Sequence, residues 1–193
     1  MTRDPTAAFT LTDIDVGCRL AEALVVQVNA GAAAPITHED LLTLARSLHP
    51  KDATLGRAVP VGIGMKLRFV AAFCEANGYP RLACLAVDKA TMQPGAEYRA
   101  EWDAERRAVA GFDWNSAKPG LEAFAAGLRA QVPRRFKLRK ERPADVAWYA
   151  YFCSHREACK DITGEDKAEI INLLMSGLDP ESALKRVRAA GMQ

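Results

Sequence analysis

The sequence predicts an α+β fold, mostly helical, with a winged-helix-like core, a small antiparallel sheet and a helical C-terminal extension. Three observations carry this. Aromatic residues are sparse at 7% while alanine is abundant, which favours close-packed helices over a β-sandwich. Residues 36–98 read as helix, helix and a hairpin closed by Pro94-Gly95. Beyond a dense basic segment, Pro143, Thr163 and Pro180 each open a further helical pattern.

In chain order, Thr12 or Asp13 caps a first helix over about 15–29, with Val16, Leu20, Leu24 and Val28 as its apolar stripe. Thr37 caps a second, with Glu39 and Asp40 in its first turn and His49-Pro50 as its stop. A helical turn is expected near 54–58. A third helix spans about 61–77, dense in apolar residues, with Gly78 as its C-terminal cap. Residues 82–88 and 96–102 are assigned to the two strands of the hairpin, and 107–112 to a third strand. Helices follow over 120–131, 144–160 and 164–175, and a last one runs from Asp179-Pro180 to about Ala190. Thr163 with Asp166 resembles a capping box.

At 193 residues, half of them apolar, the chain is long enough for a packed core. The expected organisation is a core domain over 1–132, a basic linker over 133–143 and a helical extension over 144–193. Net charge is only +2, yet residues 129–142 hold seven basic side chains against Glu141. That local +6 leaves −4 on the rest of the chain. Five scattered cysteines form no CxxC pair, as expected of reduced core thiols. MTRDPTAAFTLTD lacks a hydrophobic signal core, and the longest uncharged run, Ala23–Thr37, is too short to span a bilayer. The expectation is a soluble cytoplasmic protein without membrane contact.

Ile36–Leu48, Asn77-Gly78-Tyr79-Pro80, Leu82–Lys89, Pro94-Gly95, Gly111-Phe112-Asp113-Trp114 and Lys118-Pro119 form a spaced pattern over about half of the chain. It resembles an uncharacterised family of small bacterial proteins with a winged-helix-like core, and the resemblance implies fold rather than chemistry. More loosely, the stretch is similar to the DNA-binding domain of the O6-alkylguanine alkyltransferases. Those enzymes place a nucleophilic cysteine in a Pro-Cys-His-Arg setting. Here Tyr79-Pro80-Arg81-Leu82-Ala83-Cys84 has no histidine beside Cys84, so alkyl transfer is not implied.

The densest candidate surface is Arg134, Arg135, Phe136, Lys137, Arg139, Lys140 and Arg142. Such a cluster displaces condensed counterions from a nucleic acid, and Phe136 offers a ring for base stacking. A solvated linker accounts for the same charges, as does an acidic protein partner. If the third helix touches DNA, Arg57, Lys66 and Arg68 do so through phosphates, although its greasiness suits burial better. Lys89 stands at the expected wing tip. Cys153, His155 and Cys159 fall short of a tetrahedral zinc set, so no metal is assigned. No nucleotide-binding, hydrolase or metalloprotease motif occurs, and Asp113 beside Trp114 is at most an isolated buried acid. No enzyme activity and no cofactor are therefore expected. The function expected is that of a non-enzymatic bacterial nucleic-acid-binding or accessory protein, DNA ahead of RNA, of the type found in mobile elements or phage-defence systems. The alternative is a protein-interaction module (an immunity, adaptor or inhibitor protein) whose apolar helices bind a partner or a second copy.

Overall fold

α1 (Leu11–Gly31) is the element against which the first half of the chain is packed. In the computed structural model, which describes residues 9–31, 33–132 and 139–191, Ile14, Leu20 and Leu24 on this helix are inaccessible to solvent. Around it pack α2 (His38–Leu48), α3 (Ala53–Arg57), α4 (Ile63–Asn77) and α6 (Lys118–Gln131). α2 begins where the sequence indicates: Thr37 Oγ1 accepts from the Asp40 amide at 3.1 Å. α4 ends on Gly78 at φ +65°, a left-handed conformation that only glycine adopts without strain. The apolar density of α4 is explained by burial of Ile63, Phe69, Val70, Phe73 and Cys74. Phe9, Phe69, Phe73 and Phe124 meet ring to ring between α1, α4 and α6.

The fold is mostly helical with a very small sheet, and the sheet is not the one expected. β1 (Ile36–Thr37) and β2 (Ala86–Val87) pair in parallel, Ile36 with Ala86 and Thr37 with Val87. Leu82–Leu85 is a 3₁₀ turn, Ala96–Glu101 another, and Trp102–Ala110 is a helix, α5. Of the antiparallel strands expected over 82–88, 96–102 and 107–112, only Ala86–Val87 is a strand, it pairs in parallel, and the other two are not formed. The reason lies in periodicity: Tyr98, Trp102 and Val109 recur at helical spacing and turn inward, while Glu101, Asp103 and Arg107 stay exposed. The reversal also sits upstream of Pro94-Gly95. Asp88 Oδ1 accepts from the amides of Ala90 and Thr91, and an antiparallel bridge joins Val87 to Pro94.

α7 (Glu141–Ser154), α8 (Gly164–Met175) and α9 (Pro180–Gly191) complete the chain. The first residues of α7 fall within the stretch expected as linker, and its helix stops at Ser154 rather than 160. Thr163 and Asp166 form a full capping box on α8. Buried apolar residues fall into two clusters. One extends from Phe9 to Leu128, and the other is built by Ala144, Trp148, Ile170, Leu174, Leu184 and their neighbours on α7–α9. No described helix is long and apolar enough to cross a membrane.

Candidate functional site

The candidate basic residues separate into four groups. Arg134, Arg135, Phe136 and Lys137 lie outside the described residues. Lys66 and Arg139 are engaged inside the protein, Lys89 is ion-paired on the surface, and Arg57, Arg68, Lys140 and Arg142 are exposed.

Lys66 is a correction to the expected phosphate contact. Its side chain is 3% exposed, and Nζ donates to Glu169 Oε1 at 2.7 Å. Asp13 Oδ1 stands 3.7 Å from the same ammonium, an ion-pair distance beyond hydrogen bonding. A buried ammonium needs a countercharge, and this one has two. Arg139 is the second correction. Its backbone amide donates to Met175 O at 3.1 Å, and its guanidinium to Leu178 O at 2.8 Å and Leu174 O at 3.3 Å. It bridges carbonyls of the last turn of α8 and of the loop that follows it. Lys89, on the loop after β2, donates to Glu39 Oε2 at 2.7 Å with both side chains largely exposed. Surface pairs of this kind add little stability and leave the ammonium reachable.

The structure brings together residues that the sequence keeps far apart. A groove of about 630 Å³ lies between the end of α3 and the starts of α7 and α8. Arg57, Arg142 and Lys167 line it, with Glu141 and Asp145 on its walls and Asn172 among its lining residues. Asn172 Nδ2 donates to Arg57 O at 2.9 Å, fixing α8 against the end of α3. Lys167 is drawn to Asp145 at 3.1 Å, whereas Arg57 and Arg142 face solvent. Lys140, exposed, immediately precedes α7.

On α7, Trp148 is buried in the second cluster, but Val146, Tyr149 and Phe152 are 60%, 68% and 37% exposed. Their three- and six-residue spacings place an apolar ridge on solvent. Nothing in the sequence separates Trp148 from Tyr149, because both belong to one aromatic run.

The remaining chemistry is quiet. Cys84 is buried, and desolvation, followed by the charge of Glu105, pushes its thiol up to about 12, the opposite of a nucleophile. Cys159 is buried, Cys153 is exposed, and His155 stacks on Tyr151 at 4.1 Å. Among the described residues, no three His, Cys, Asp or Glu side chains are placed to hold a metal ion. Asp113 is not a buried acid: it is exposed and accepts from the Asn115 amide as a helix cap. Sequence reasoning offered Asp13 only as a helix cap, and it missed Asp13, Glu169 and Arg186 as ion-pair partners. The signal was present for Glu169, a lone carboxylate at the head of the run Ile170-Ile171-Asn172-Leu173-Leu174. Comparison with protein-family models, curated proteins and solved structures returns no match.

Proposed function

We propose that this chain is a non-enzymatic, cytoplasmic accessory protein that binds nucleic acid, DNA ahead of RNA, through its phosphate backbone. The observation that carries this reading is the convergence of Arg57, Arg142 and Lys167 on one groove, directly after the basic segment 129–142. Lys140, exposed, immediately precedes α7, and in the sequence Arg134, Arg135 and Lys137 belong to the same basic segment, whose Phe136 supplies a ring of the kind that stacks on bases. The contacts are positional rather than base-reading, since α4 turns its apolar residues inward and leaves only Arg68 as an exposed basic residue within its span. In this reading α2–α4 act as a winged-helix-like core, and the loop carrying Lys89 takes the place of a wing.

Titration of the protein against DNA and RNA at increasing salt, read by fluorescence anisotropy, tests this. Binding falls log-linearly with salt, with a slope near −0.9 for each duplex phosphate neutralised. Replacing Arg134, Arg135, Lys137, Lys140 and Arg142 with alanine flattens that slope. Absence of binding by the unaltered protein at low salt removes the reading.

The α7 ridge favours a second function, capture of an acidic, amphipathic partner helix. Val146, Tyr149 and Phe152 would receive its apolar face, and Arg142 with the preceding basic residues its carboxylates. This reading predicts a complex unaffected by added nucleic acid and lost in Tyr149→Lys.

A further inference from the structure

Between the two apolar clusters runs a polar seam. From α8 and α9, Glu169 and Arg186 reach Lys66 of α4 and Asp13 of α1, with Lys66–Glu169 at 2.7 Å and Arg186–Asp13 at 2.6 Å. Ser176 Oγ, at the end of α8, lies 2.5 Å from Thr12 Oγ1. Asp13, Lys66 and Glu169 side chains are 1%, 3% and 5% exposed, so both carboxylates and one ammonium are out of solvent, while Arg186 reaches Asp13 from the partly exposed rim. Gly62 completes the fit, since a Cβ there would stand 2.1 Å from the Glu169 carboxyl carbon. Desolvation cancels much of the attraction in such pairs, so the seam dictates one geometry more than it adds adhesion. An apolar seam of the same size would adhere more firmly and tolerate sliding.

We propose that α7–α9 is a docked helical unit that seats on the Pro60–Gly62 turn, with these ion pairs tying it to α1 and α4, and opens as a body while both apolar clusters stay folded. The docked state alone places Arg57 beside Arg142, so opening dismantles the groove. That consequence, unlike the dock itself, rests on the nucleic-acid reading above.

Ser176→Cys in the full chain reports opening directly, because Ser176 is 3% exposed at the seam. Cys74 and Cys159 are internal references, one buried in each cluster. Thiol labelling resolved by peptide mass spectrometry is expected to be on the order of a hundredfold faster at position 176 than at either reference. Equal rates at 176 and Cys74 mean that the seam is exposed only by global unfolding, and they overturn the proposal. Equal rates at 176 and Cys159 mean that α8 and α9 unravel rather than swing, and overturn it as well. In the S176C background, Lys66→Met with Glu169→Leu should slow labelling at 176 by about tenfold. No slowing removes the ion pairs as the reason for a weak dock. A short DNA duplex at saturating concentration should also slow labelling at 176. Binding without slowing refutes the coupling between groove and dock. Failure to bind refutes the nucleic-acid reading, and the thiol comparison still decides the dock.

Discussion

Lys66 and Cys84 show how burial reassigns side chains that look reactive in a sequence. The ammonium of Lys66 is spent on Glu169 and Asp13, and the thiol of Cys84 is held protonated by desolvation. His38, the first residue of α2, is a third case. Desolvation lowers its pKa below the ordinary 6.5, with the charge of Asp88 opposing the shift. The unfolded chain therefore takes up the proton first. Stability is complete above about pH 6.5 and declines as pH falls toward the depressed folded value. Urea midpoints measured from pH 8 to pH 5 should show this decline, and His38→Gln should flatten it. Gly62 is constrained by packing. Gly62→Ala should cost ~1–3 kcal/mol in urea unfolding, because the added methyl displaces the Glu169 carboxylate from Lys66.

Helix ends account for much of what the individual elements do. α8 is closed at one end by the Thr163–Asp166 capping box and at the other by Arg139. Thr163→Ala should lower stability by ~1 kcal/mol in thermal or urea unfolding, the usual cost of removing such a cap. Arg139 and Lys140 are neighbours of equal charge in different employment. Arg139→Ala should lower stability by about 1 kcal/mol with little change in the salt slope of nucleic-acid binding. Lys140→Ala should lower that slope by about 1 and leave the urea midpoint unchanged. The Tyr98–Ala110 stretch shows the converse error at this scale. Tyr98 and Trp102 suit a strand by residue type, but a run rich in Ala, Glu and Arg with helical spacing folds as helix once one side can be buried.

Across the molecule, two apolar clusters meet along a polar seam, and the groove forms where α3, α7 and α8 converge. A double replacement, Arg57→Ala with Arg142→Ala, should weaken binding to all duplex sequences alike, by roughly tenfold at physiological salt. Loss confined to particular sequences would instead indicate base contacts. Most helices were legible because caps such as Thr37, Gly78 and Thr163 act within four residues of chain. The sheet was not, because Ile36 and Ala86 pair across fifty residues and carry no local sign of it. Of the candidate surface, Arg142 and Lys140 are exposed as their charge suggested, while Arg57 joins Arg142 only through the docking of α8.

By itself, the sequence determined the helix ends that carry a strong cap, at Thr37, Gly78 and Thr163, the apolar burial of α1 and α4, and the concentration of positive charge in 129–142. These are properties of short segments, governed by propensity, capping and periodicity. The start of α1, by contrast, lies at Leu11 rather than near 15. Tertiary structure alone decided which charges face water. Lys66 and Arg68 are two residues apart on one helix, yet one is sealed against Glu169 and the other is exposed. That difference comes from the packing of α8, over a hundred residues along the chain, and an ionic partner so remote leaves no mark on the local pattern.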